Sequence, residues 1–194
     1  MPLRSTEAAW GAGVRAFHWL IAALILAQAV IGLSMVGMGL TPAKVRVFAL
    51  HKSIGMTILA LVLLRIAWRL SERRPADPAG MPRWQRRAAH AMHLTLYGLI
   101  LAIPLSGWWF NSASNAPLVW FGLFHIPGLT QGYAPAWKPR ALLLHQTLFW
   151  VLVALLVMHV GAALWHHFRQ RDDVLGRMVG SRPRPGRWNQ GDSR

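Results

Sequence analysis

Four long apolar stretches alternate along the chain with connections that are polar or rich in proline. The apolar segments run over Phe17–Val36, roughly 47–68, roughly 90–110 and Leu142–Trp165. Each reaches or approaches the roughly 20 residues a helix needs to cross a bilayer. Inside hydrocarbon a segment must satisfy its own backbone hydrogen bonds, which a helix does unaided. The predicted fold class is therefore an all-α membrane protein, a four-transmembrane-helix up-down bundle with helices over about 15–36, 47–70, 86–110 and 141–168. The first segment is too long for a signal-peptide core and no small-residue cleavage site follows it, so it reads as a retained helix.

The connections differ in kind. Gly37–Arg46 is short, with Thr41-Pro42 as a turn signal. Ser71–Arg87 is rich in Pro and Arg and reads as irregular and cytoplasmic. The longest connection, Asn111–Arg140, holds Pro117, Pro127, Pro135 and Pro139 together with Trp120, Phe121, Phe124, Tyr133 and Trp137. Such amphipathic rings settle at a membrane interface. Loops of this length are uncommon unless functional. It is expected to fold over the outer face of the bundle, with room for a short interfacial helix. Pro104 is expected to bend the third helix. Residues 1–180 thus make one four-helix domain, and 181–194 a basic cytoplasmic tail expected to be disordered.

Composition agrees with a membrane setting: 54% of the 194 residues are hydrophobic and only 14% charged. The absence of cysteine excludes disulfides, thiolate metal sites and iron–sulfur clusters. A net charge of +15 raises nucleic acid as a partner, but its distribution argues against that. Sixteen of the 21 Lys and Arg lie in the N-terminal segment, at the second helix end with its following loop, and in the C-terminal part. All of these fall on one side of an up-down arrangement. Lys44, Arg46, Lys52, Lys138 and Arg140 fall on the other. The positive-inside rule then places both termini in the cytoplasm. The arginines suit anionic lipid headgroups, and no nucleic-acid recognition motif accompanies them.

The candidate chemistry lies in the histidines. His145 and His159 are 14 residues apart in a stretch without acid, Lys or Arg. On a helix that spacing is about 21 Å along the axis with only about 40° of rotation, so both imidazoles face one way. Ionisable rings at such depths are costly unless they bind something. Chain direction pairs His18 with His159 toward the cytoplasmic side and His51 with His145 toward the outer side. Two rings from facing helices at one depth are what bis-imidazole ligation of haem b requires, so two haems are predicted in the bundle core. The plainer reading is that each His hydrogen-bonds a neighbouring helix. His90 and His93 share one face of the third helix and are alternative ligands in place of His18 or His159, His93 foremost, or hydrogen-bond partners of a haem propionate. His166 and His167 read as interfacial and His125 as a loop residue. Gly55, Gly107, Gly161, Ala162 and Ala163 would admit a porphyrin or simply close helix packing, and Trp19, Trp108, Trp109 and Trp150 would line a haem or quinone site or form an interfacial belt.

Several of these residues sit in patterns that resemble the bacterial cytochrome b561 family. They are Arg15-Ala-Phe-His18-Trp19, His51-Lys-Ser-Ile-Gly55, and the run from His145 through Met158-His159 and His166-His167-Phe168 to Asp173-Val-Leu-Gly-Arg177-Met178. The resemblance covers roughly residues 10–180 and leaves the Pro/Arg tail without a counterpart. It implies an inner-membrane bundle with two b-type haems on His18, His51, His145 and His159, exchanging electrons with the quinone pool, ubiquinone included. Some members are implicated in oxidising superoxide outside the membrane. Apart from the resemblance, the outer loops Gly37–Leu50 and Asn111–Ala141 contain no Asp or Glu. Lys52, Lys138 and Arg140 are candidates for steering a small anion, against the plainer reading of interfacial anchors. Two further classes stay open, an electron-transfer subunit for a dehydrogenase or periplasmic redox protein, and a haem-free transport or structural protein. The second is disfavoured because no acid lies in any span.

Overall fold

Four long helices make up most of the protein: α1 (Ala12–Val36), α2 (Pro42–Leu70), α3 (Arg83–Ala113) and α4 (Lys138–Trp165). All four are long and apolar enough to cross a membrane. The structure, a computed structural model, describes residues 3–6, 9–73, 75, 81–130 and 134–180. The basic tail from Ser181, Arg74 and Tyr133 lie outside the described residues. The all-α membrane class expected from the hydropathy pattern is what the structure has. Large apolar side chains such as Leu26, Val30 and Leu33 on α1 and Leu143, Trp150 and Val157 on α4 are exposed. An outward apolar surface of this kind suits lipid, where it costs nothing to leave unburied.

Every helix begins three to five residues before the start expected from the sequence. The reason is clearest at α2. Pro42 is its first residue rather than part of a turn, and the Thr41 Oγ1 accepts a hydrogen bond from the Lys44 amide at 3.3 Å. Threonine caps the orphan amides of a first turn, and proline there gives up no intrahelical bond. The reading of Thr41-Pro42 as a loop turn is corrected accordingly. Pro104 lies inside α3 without ending it. Proline has no amide to donate to the carbonyl four residues back, here that of Ile100.

The long connection after α3 also departs from expectation. Its described part folds as a small antiparallel hairpin, β1 (Val119–Trp120) against β2 (Phe124–His125), and not as an interfacial helix. Phe121 and Gly122 both adopt positive φ, 46° and 77°, which turns the chain in three residues. Gly122 does this freely, whereas Phe121 is held by its amide, which donates to the buried Ser53 Oγ at 3.0 Å. Trp120 Nε1 donates to Thr57 Oγ1 at 3.1 Å, and Lys52 Nζ to the Pro117 carbonyl. The hairpin is therefore pinned along α2. Beyond it, Trp108 Nε1 donates to the Pro127 carbonyl at 3.0 Å and the Leu129 amide to Ser112 Oγ at 2.9 Å.

The chain divides into two compact units. One is built from the segment up to His18, Arg65–Leu96 and the chain from Val153 onward; the other from Trp19–Leu64 and Tyr97–Leu152. In the first, α4 runs on as a π-helical turn over His166–Gln170, followed by α5 (Val174–Val179). Asp172 joins these pieces, pairing through Oδ2 with His166 Nδ1 at 2.5 Å and accepting from the Val174 amide through Oδ1 at 3.1 Å. In the second unit Ile21, Val62 and Ser53 are almost fully buried.

Candidate functional site

Each unit brings together one imidazole from each of two different helices. In the unit containing His18, that ring and His159 have centroids 6.4 Å apart with planes inclined at 63°. In the other unit, His51 and His145 lie 6.3 Å apart at 82°. With a metal–imidazole bond of about 2 Å and about 1.1 Å from ring nitrogen to centroid, one metal between two imidazoles sets their centroids about 6.2 Å apart. Both separations match. A bare ion would want further donors, yet among the described residues no cluster of three or more His, Cys, Asp or Glu occurs. Two facing imidazoles without a third such donor among the described residues would suit a haem, which brings the rest of its iron's donors itself.

His93 behaves differently. Its ring lies 5.6 Å from that of His159, closer than a shared metal would leave them, and the residue is exposed. His90 and His125 are exposed as well, and His166 is occupied with Asp172.

Local structure tailors the second pair. The His145 Nδ1 lies 3.0 Å from the Ile103 carbonyl and 3.1 Å from Ser106 Oγ. A carbonyl only accepts, so Nδ1 carries the hydrogen and Nε2 the lone pair that a metal needs. Glycines make room for both rings. A Cβ on Gly107 would sit 3.0 Å from His145 Cε1, and one on Gly32 would sit 3.2 Å from His51 Cε1. Gly55 similarly abuts Gln28, whereas Gly161 faces open space. In the first pair, Arg65 Nη2 lies 3.3 Å from His18 Nδ1. A guanidinium only donates, so here Nδ1 accepts. Ligation of a metal through His18 Nε2 requires that Arg65 give up this contact.

Lys52 is half-buried and engaged with the Pro117 carbonyl; the Arg140 guanidinium lies 5.1 Å over the Trp137 ring. Lys138 opens α4. Trp109 packs on Trp137 at 5.9 Å, and Trp19 and Trp150 are exposed. Sequence reading passed over Gln28 and Gly32. The signal for Gln28 was present, as an amide amid the apolar residues of α1.

The family described as prokaryotic cytochrome b561 matches residues 9–181. The chain belongs to that family. It is 36% identical over 181 residues to cytochrome b561 homolog 2 of Escherichia coli (strain K12), covering 93% of this chain and 96% of the relative. With cytochrome b561 homolog 1 of the same organism it shares 32% over 134 residues, 66% of this chain and 72% of that one. It is also 29% identical over 170 residues to a protein named "Probable superoxide oxidase CybB" from Yersinia pestis, covering 84% and 90% respectively. As a cytochrome b561 it is a multi-pass bacterial membrane protein of electron transfer, and the family's cofactor is haem b.

Proposed function

We propose that this cytochrome b561 holds two haems b, one between His18 and His159 and one between His51 and His145, and moves single electrons across the inner membrane between an outer donor and the quinone pool. The observation that carries the reading is the pair of ring separations, 6.4 and 6.3 Å, each matching one metal between two imidazoles. Haem b, when bound, supplies one-electron chemistry through its ferric and ferrous iron. The chain's own residues orient it. Ile103 and Ser106 hold His145 with Nε2 free, and Gly107 and Gly32 leave the two rings space. The 14-residue spacing of His145 and His159 on one helix is the support for a path across the membrane.

Superoxide is the proposed outer donor and ubiquinone the acceptor. Superoxide gives up one electron and becomes dioxygen; two such electrons and two protons convert a quinone to its quinol. Support comes from the superoxide oxidase named among the relatives and from outer loops free of carboxylates. Lys52, Lys138 and Arg140 would raise the encounter rate of a small anion, an effect that salt screens. The arginine distribution supports placing both termini in the cytoplasm.

A pyridine haemochrome assay on purified protein, with His51→Ala and His159→Ala beside it, tests the assignment. Two haems b per chain, with each variant losing one, is the expected result. Wild type that folds without stoichiometric haem sinks it.

A further inference from the structure

We infer that Gln28 positions His51 for holding haem iron, its Oε1 accepting the hydrogen bond of the His51 Nδ1–H. This rests on the reading that His51 ligates haem iron.

Gln28 sits on α1 among Ala27, Ala29, Val30 and Ile31, where an amide is costly unless both its ends are bonded. One end is: Nε2 donates to the His51 backbone carbonyl at 2.6 Å. The other, Oε1, is buried with no hydrogen-bond partner among the described residues. His51 Nδ1 is also buried and without one. Two orphaned atoms thus belong to side chain and residue already joined by a short hydrogen bond. Their capacities are complementary. An amide oxygen only accepts, and an imidazole that gives its Nε2 lone pair to a metal carries its hydrogen on Nδ1 and only donates there. Ligation through Nε2 fixes the tautomer that gives Oε1 its donor.

The helices are built for this meeting. Gln28 and Gly32 lie four residues apart on one face of α1, and His51 and Gly55 four apart on one face of α2. A Cβ on Gly55 would come 3.3 Å from Gln28 Nε2, and one on Gly32 would come 3.2 Å from His51 Cε1. Each helix therefore offers a polar side chain and a glycine that receives the other's. The partner ring, His145, has its Nδ1 met by the main-chain carbonyl of Ile103. Gln28 does for His51 by side chain what Ile103 does for His145 by backbone. Hydrogen-bond acceptors behind a ligating imidazole fix its orientation and raise its basicity, which favours ferric iron and lowers the potential.

The test is a spectroelectrochemical titration of the haem-loaded protein with low-spin ferric EPR, on wild type, Gln28→Met and Gln28→Glu. His51→Ala identifies which titration step belongs to the haem on His51. Expected are full haem content, a rise in that step for Gln28→Met of at least tenfold in its reduction constant (59 mV for one electron), and a return to or below the wild-type value in Gln28→Glu, with EPR shifts of opposite sense. If Gln28→Met loses the haem and Gln28→Glu keeps it, the need for an acceptor is upheld. Wild-type potential and EPR in Gln28→Met overturn the proposal, as does loss of the same haem from both variants, which marks a packing role. His51→Ala retaining both haems overturns instead the ligand assignment beneath it.

Discussion

Substituting alanine at Gly107 should damage one imidazole site while leaving the helix that carries it sound. The added Cβ would lie 3.0 Å from His145 Cε1 and 3.3 Å from Nδ1. Carbon atoms pack comfortably at about 3.5–4.0 Å, so the ring must retreat by roughly half an ångström or more. It is not free to do so, because Nδ1 is held by the Ile103 carbonyl at 3.0 Å and faces Ser106 Oγ at 3.1 Å. Overpacking of this kind costs about 1–3 kcal/mol. At about 1.4 kcal/mol per tenfold, haem retention at this site should weaken about five- to a hundredfold. Helix propensity pulls the other way, since alanine improves on glycine by about 1 kcal/mol in a helix interior. Gly98→Ala is the matched control: the same helix, the same propensity gain, and nothing within 4 Å of the new methyl group. Haem per chain, measured by pyridine haemochrome after gel filtration, should fall toward one in Gly107→Ala and stay at two in Gly98→Ala. Equal haem content and identical reduced-minus-oxidised spectra in the two variants would refute the argument that Gly107 exists to admit the His145 ring.

Four other outcomes are expected. Ser53→Ala removes the acceptor of the Phe121 amide, costs about 1–3 kcal/mol, and should speed limited proteolysis within 117–127 in detergent; an unchanged cleavage rate would show that the hairpin does not depend on this bond. His93→Ala should keep the wild-type haem content, since its ring sits too near His159 to share a metal with it, and a variant lacking one haem would move His93 into the ligand set. Asp172→Ala strips partners from His166 Nδ1 and the Val174 amide, so hydrogen exchange over Val174–Val179 should accelerate by roughly fivefold, about 1 kcal/mol of local stability, with haem content unaltered. The rate constant for haem reduction by superoxide should fall as ionic strength rises from about 10 mM to about 150 mM, where the Debye length shortens from about 30 to about 8 Å; a flat dependence removes steering by Lys52, Lys138 and Arg140.

Much of this protein was legible in its residues taken in order. The number of spans follows from apolar length alone, because bilayer thickness and the need for internal backbone bonding act on each segment separately. The 14-residue interval between His145 and His159 could be turned into a shared face for the same reason, helix geometry being local. Helix starts were less legible. Capping at Thr41 and Pro42 carries α2 beyond its apolar stretch, a local signal that hydropathy hides.

Contacts between segments distant in the chain had to wait for the tertiary structure. Sequence could list His18, His51, His93, His145 and His159, but the ring separations that set His93 apart from the two matched pairs depend on how helices rotate about their own axes. The hairpin at Val119–His125 owes its form to Ser53 and Thr57, some 65 residues earlier, and no local propensity in an aromatic, proline-rich loop announces them. Gln28 and Gly32 acquire meaning only opposite His51. Hydrophobic pattern determines which segments enter the membrane because lipid acts on every residue alike; side-chain fit decides what the segments do there because it acts on particular pairs.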